Sequence, residues 1–212
     1  STFFKRDTGF APQQVAPGVD LKVFRLEQAP GVASVTLHNG GGETGISGTH
    51  IGWGRGRANN TDLGQAVQSF GGDGTIDKRW GTNTALEVRQ EDWTIGSTTY
   101  TQQIIVNVLG DSEGNSEAAL AFYDSGSGYF QEIGGVIVMT GLSAARDQNN
   151  PPDATFGDDR LTGLPFGRGD ENWMVQIGEY ADEINAIVPE PSTYALFAGL
   201  FAVFALLWRR RG

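Results

Sequence analysis

The 212-residue sequence contains no cysteine, which excludes disulfide frameworks, thiolate zinc sites and cysteine nucleophiles. Imidazole is scarce as well: His38 and His50 are its whole supply for acid–base chemistry or metal ligation. Charged residues make up only 19% of the chain and aromatics reach 10%, a balance that excludes a disordered polyelectrolyte. Basic residues are few, with 15 Lys and Arg against 25 Asp and Glu. Beyond residue 188 the tail holds Glu190 against Arg209, Arg210 and Arg211, a balance of +2, so the total of −10 leaves −12 on residues 1–188. So acidic a body lacks the basic face that a nucleic-acid partner requires. No charged-then-apolar leader precedes the body, and the first residue is Ser1, so the chain is expected to be processed or truncated at its N-terminus.

Glycine is abundant. Its 31 residues are about twice the usual ~7% share, and they lie between short runs rich in Val, Ile, Thr and aromatics. The runs Val19–Leu26, Val32–His38, Thr84–Arg89, Thr99–Leu109 and Gly135–Leu142 read as strands, separated by clusters of Gly, Asn, Asp and Pro. Many short strands at this spacing predict a mainly β fold, an antiparallel barrel or sandwich. Trp173, Ile177, Tyr180, Ala181, Ile184 and Ile187 recur at intervals of three and four, which predicts an amphipathic helix closing the body. Residues 146–171 read as a long polar loop. Their carboxylates lack the alternating calcium-loop pattern, so a solvated loop is expected, and no metal or cofactor is assigned.

Ser192–Trp208 runs 17 residues without a charge and meets Arg209–Arg211 at once. That is about the shortest helix able to cross a ~30 Å hydrocarbon core, and the arginines place its far end in the cytoplasm. Ahead of it stands Val188-Pro189-Glu190-Pro191-Ser192. This order of dipeptide, apolar span and basic stop resembles the PEP-CTERM sorting signal of Gram-negative bacteria that make extracellular polysaccharide. The resemblance implies a transient inner-membrane anchor, an exosortase-type enzyme that cleaves near Pro189, Glu190 and Pro191, and a body in the periplasm that reaches the cell surface or medium.

Asp124-Ser125-Gly126-Ser127-Gly128 precedes a strand pair. A serine between glycines on a tight turn can expose its hydroxyl while neighbouring N–H groups converge; the same letters are also ordinary turn chemistry. Asp20-Leu21-Lys22-Val23-Phe24-Arg25-Leu26 is similar to the aspartate-led strand of trypsin-like serine proteases, Gly52-Trp53-Gly54 to their Gly-Trp-Gly, and Asp124-Ser125-Gly126 to their Gly-Asp-Ser-Gly-Gly motif. Thr140-Gly141-Leu142-Ser143 resembles the strand beside their specificity pocket, and Trp173–Val188 their closing helix. The resemblance implies a partial trypsin-like domain over residues 1–188, one complete barrel plus a remnant of another. Asp20 would orient a histidine, Ser125 would attack the peptide carbonyl, the N–H groups of Tyr123 and Ser125 would hold the oxyanion, and Ala119 and Ser143 would line the substrate pocket. Ala119 offers no carboxylate to a Lys or Arg side chain.

Two departures accompany it. Tyr123 stands where the family has glycine, and no histidine lies among the 19 residues before Asp20. His38 and His50 follow Asp20. Asp7-Thr8-Gly9 with Gly48-Thr49-His50 superficially matches subtilase motifs, but Ser47 holds the place of the subtilase histidine. Gly110-Asp111-Ser112-Glu113-Gly114 puts a glutamate where the fold wants glycine. Ser125 therefore remains the nucleophile candidate, and both histidines read as strand and loop residues without catalytic duty. Two readings remain open: the C-terminal part of an exported serine endopeptidase acting on polypeptide, inactive in this chain, and a non-catalytic surface or matrix binding protein. In the first, Phe3, Phe4 and Phe10 should lack a full core.

Overall fold

The computed structural model describes residues 5–56, 67–69, 71–109, 117–121, 123–147, 165–167 and 170–188. The strands are β1 (Gln13–Gln14), β2 (Lys22–Val23), β3 (Thr36–Leu37), β4 (Ser47–Gly52), β5 (Val67–Ser69), β6 (Arg79–Ile95), β7 (Thr98–Val108), β8 (Gly128–Ile133), β9 (Val136–Asp147), β10 (Pro165–Gly167) and β11 (Glu171–Gln176). Among the described residues a single short α-helix, α1 (Ala181–Ile187), follows a 3₁₀ turn at Gly178–Tyr180. The body is thus mainly β, as its composition implied.

Six antiparallel strands run in the order β11, β7, β6, β4, β8, β9, and pairing of β9 with β11 closes them into a barrel. Closure removes the free edges that an open sheet exposes. Among these six the third in chain order, β7, lies beside the last, β11, and the first, β4, beside the fourth, β8. Tight turns join β6 to β7 and β8 to β9, with Gly96, Gly134 and Gly135 at positive φ, where a Cβ is disfavoured. Strand β3 extends β9 in parallel at Val138 and Met139.

Inside the barrel Ala85, Ile105, Tyr129 and Met174 pack together. Much of the remaining interior is polar: His50, Asn83, Asn107, Gln131 and Asn172 are buried. Gly48 of β4 is there to admit Tyr129, because a Cβ at Gly48 would stand 2.4 Å from the ring's Cζ. Tyr129 cannot retreat without cost, since its hydroxyl donates to the Asn83 carbonyl at 2.8 Å. Gly48→Ala should therefore destabilise the body by about 2–3 kcal/mol, read as a lower urea midpoint at unchanged slope. An unchanged midpoint would show that the Tyr129 packing is loose.

A second cluster lies outside the barrel, where Val15, Val19 and Leu21 pack on Val175, Ile177 and Tyr180. The N-terminal arm owes its position to these contacts. Arg25 holds it locally, pairing with Asp7 at 2.5 Å and stacking over the half-buried Phe10 at 5.2 Å. Phe24, Val32 and Val35 remain exposed, at 56%, 74% and 42%; Phe3 and Phe4 lie outside the described residues.

Several sequence expectations need correction. Of Val19–Leu26 only Lys22–Val23 is strand, because its antiparallel partner is two residues long; Val32–His38 reduces to Thr36–Leu37, which pairs in parallel with β9 only at Val138 and Met139. The closing helix does not begin at Trp173. Glu171–Gln176 is the strand that completes the barrel, with Asn172 and Met174 buried on its inner side, and the helix starts only at Ala181. Over so few residues, spacings of two and of three to four share the same apolar positions. Residues 146–171 are not loop throughout: Arg146 and Asp147 finish β9, and Pro165–Gly167 pairs with Val67–Ser69. Among the described residues no helix is long and apolar enough to cross a membrane; Ser192–Trp208 lies outside them.

Candidate functional site

The connection into β8 is fixed from three sides. First, the Asp124 carboxylate turns back on its own loop and accepts the Ala121 N–H at 2.9 Å and the N–H of Trp53. Second, the glycines either side of Trp53 make room for it. A Cβ at Gly52 would lie 2.2 Å from Asp124 Oδ1 and one at Gly54 2.4 Å from Oδ2, which gives Gly52-Trp53-Gly54 a physical reason. Burial raises the Asp124 pKa, opposed by those backbone donors and by Arg79. Third, the turn is stitched to β9: Gly126 N–H donates to the Ser143 carbonyl at 2.7 Å, Ser143 N–H to the Ser127 carbonyl at 2.9 Å, and Ser127 Oγ to Ser143 Oγ at 2.8 Å.

Tyr123 adopts φ +75°, the only non-glycine residue at positive φ among those described. A side chain there costs about 1–2 kcal/mol. The backbone keeps the conformation a glycine would take, and the exposed Tyr123 is held by Arg55 over its ring at 5.5 Å and by donating to Asp73 at 3.4 Å. Arg55 and Asp73 pair at 2.5 Å. Ser125 is exposed. Neither its hydroxyl nor the N–H groups of Tyr123 and Ser125 find a hydrogen-bond partner among the described residues.

The other candidates fall as follows. Ser143 is buried against the turn. Ala119 is half-buried in the 117–121 segment, whose Ala118 carbonyl accepts from Asn83 Nδ2 at 3.2 Å. Asp20 lies in the N-terminal arm, where its N–H donates to Gln102 Oε1 at 2.7 Å; no hydrogen bond joins it to the Ser125 turn. His38 Nε2 is 3.2 Å from the Gly41 carbonyl and 3.7 Å from the buried Glu43 carboxylate. His50 faces the barrel interior on β4, its Nε2 2.9 Å from Asn107 Nδ2. Neither histidine hydrogen-bonds to Ser125. Pro189, Glu190, Pro191 and the Gly110–Gly114 motif lie outside the described residues, and among the described residues no group of three His, Asp or Glu is placed to hold a metal ion.

Burial alone lowers the His50 pKa to about 4. Between about 4 and 6.5 the unfolded chain binds a proton that the folded chain refuses, so this contribution to stability is full above 6.5 and is lost as pH falls towards 4, in total about 3 kcal/mol. The sequence reading assigned no part to this polar interior. Asn172 and Asn107 become visible as partners only once β11 is recognised as a strand between β7 and β9.

Comparison with known proteins adds one finding. No curated protein and no solved structure matches the chain. Residues 188–211 match the model of the PEP-CTERM protein-sorting motif, and the match begins at the residue that caps α1. The chain therefore carries the sorting motif of exported proteins that exosortase-type enzymes process.

Proposed function

We propose that residues 1–188 are the serine-bearing part of a trypsin-like serine endopeptidase, exported and held at the inner membrane by the PEP-CTERM tail until cleavage near Pro189-Glu190-Pro191. The observation that carries this reading is the turn at Tyr123–Gly126. The half-buried Asp124 carboxylate fits between two glycines, Tyr123 is held at positive φ, and Ser125 is exposed beside two N–H groups that have no acceptor among the described residues. In this reading Ser125 attacks the peptide carbonyl, the Tyr123 and Ser125 N–H groups receive the oxyanion, and Asp20 orients a histidine. Ala119 and Ser143 line the pocket, and without a carboxylate at Ala119 the pocket has no preference for Lys or Arg. The base must come from polypeptide outside these 212 residues. Exposed Phe24, Val32 and Val35 on the arm support a further apolar surface packed there.

The reading is tested at the encoding locus. A frame that continues upstream of Ser1 into a Thr-Ala-Ala-His type segment supports it, provided the extended protein hydrolyses peptides and Ser125→Ala abolishes the activity. Hydrolysis indifferent to Ser125→Ala, or a frame without such a histidine, overturns it.

A second reading, a non-catalytic binding domain, is favoured by one observation. Ile51 and Trp80 are direct partners across β4 and β6 and are 44% and 71% exposed, with Trp53 nearby in the chain at 57%. Such an apolar patch on an acidic body suits an interaction surface.

A further inference from the structure

The barrel interior contains a chain of hydrogen bonds whose direction is fixed at one end. Leu120 N–H, a backbone group that only donates, gives its proton to Asn172 Oδ1 at 2.7 Å. The Asn172 amide then has only its Nδ2 to offer, and it donates to Asn107 Oδ1 at 2.8 Å. Asn107 in turn presents Nδ2 to His50 Nε2 at 2.9 Å. That nitrogen must accept, so the ring proton lies on Nδ1, which has no partner among the described residues. Three of the members, Asn107, Asn172 and His50, are buried at 5% exposure or less.

We propose that Asn172 is a positioning residue: through this one-way relay from Leu120 to His50 it locks the 117–121 segment, and with it the Asp124–Ser125 turn, onto the barrel wall. The segment passes directly into the turn, since Ala121 N–H donates to Asp124 Oδ2 and Asp124 N–H returns to the Ala121 carbonyl at 3.1 Å. Asn172 Nδ2 also reaches the Ala118 carbonyl at 3.4 Å, so one side chain grips the segment at two places. The relay has a second property. A doubly protonated His50 would set a donor against Asn107 Nδ2; to answer it both amides must reverse, which turns Asn172 Nδ2 against the Leu120 N–H. Protonation of His50 and the Leu120 hydrogen bond are therefore mutually exclusive. The titratable side chain that packs on His50 is Tyr129 of β8, with ring centroids 4.5 Å apart. Burial, with no charged group contributing, keeps the imidazole neutral down to about pH 4, so the relay holds through the neutral range.

That the turn needs positioning rests on the protease reading; the relay itself does not. The test is ¹⁵N NMR of the histidines in the 212-residue chain in detergent, with amide exchange at Leu120 followed in parallel. In the unmutated protein the His50 proton is expected on Nδ1, and Leu120 exchange should accelerate at least tenfold as His50 protonates. Asn172→Asp keeps an acceptor for Leu120 but takes the donor from Asn107, which is then free to reverse. The His50 proton should move to Nε2 and its pKa rise by a unit or more, while Leu120 stays protected. Asn172→Ala should instead expose Leu120 to fast exchange. A His50 proton on Nε2 in the unmutated protein overturns the relay without any variant, as does a folded Asn172→Asp protein with an unchanged tautomer. An intact relay beside a Ser125 that stays unreactive in the upstream-extended protein would sink the protease reading and leave the relay standing.

Discussion

A fluorophosphonate probe mixed with the 212-residue chain should label Ser125 roughly 10⁴–10⁶ times more slowly than it labels a serine with a complete triad, the range by which loss of a triad member lowers rates. The reason lies in what surrounds the hydroxyl. Ser125 is exposed, but neither histidine reaches it. His50 is committed to Asn107 inside the barrel, and His38 sits by the Gly41 carbonyl and the Glu43 carboxylate. Asp124 is the nearest carboxylate in the chain, yet it faces Ala121 and Trp53 and is held there by two backbone donors. A hydroxyl without a base keeps its proton at neutral pH and attacks phosphorus slowly. Labelling is measured by intact mass over a time course, with Ser125→Ala as the control. Rapid labelling abolished by that substitution would mean that a base exists within these residues, and the assignment of both histidines would fall.

The β character of the body was legible because β7 and β9 carry runs of Val, Ile and Thr between glycine-rich turns, and their predicted positions coincide with strands. Closure was not legible. It depends on Glu171–Gln176, whose Trp173 and Met174 fit a helical spacing as well as a strand's, and only the facing edges of β7 and β9 decide between the two. The arm failed in the opposite direction. Val19–Leu26 has strand-like residues, but propensity expresses itself only where a partner strand stands alongside, and Gln13–Gln14 is too short to provide one.

For the candidate site, Gly52-Trp53-Gly54 and Asp124-Ser125-Gly126 were visible as separate patterns. The structure joins them, the glycines of the first making room for the aspartate of the second. Tyr123, which stands where the resembled family has glycine, has its backbone at φ +75°, with Arg55 over its ring and its hydroxyl donating to Asp73. Nothing in the sequence pointed to Asn107 and Asn172. Buried asparagines have no periodic signature, and their partners are 65 residues apart in the chain.

In cells that contain an exosortase the body should leave the membrane, and replacing Pro189 and Pro191 together with Ala should cut that release at least tenfold while leaving the protein membrane-bound. At the end of α1 the last hydrogen bond runs from Val188 N–H to the Ile184 carbonyl at 3.0 Å. Pro189 has no N–H to continue the ladder to Asn185, and Pro191 repeats the interruption. The prolines are thus expected to keep the motif from merging into one helix with the apolar span, and an extended backbone is what a cleaving enzyme can engage. With alanines the ladder can continue from α1 into Ser192–Trp208, removing that backbone from reach. A helical Ser192–Trp208 would be about 26 Å long and held by about 1.5–3 kcal/mol per large apolar side chain, so retention is expected to survive the change. Replacing Arg209, Arg210 and Arg211 with Glu is expected to act differently, disturbing orientation or retention, because it would reverse the charge expected to stay in the cytoplasm. Fractionation of membrane from medium, followed by mass measurement with and without the exosortase, separates these outcomes. Release of the double alanine variant at the unmutated rate would refute the role given to the prolines. An intact tail on protein recovered from the medium of exosortase-positive cells, or an uncleaved chain freely soluble without detergent, would refute the anchoring role of the motif.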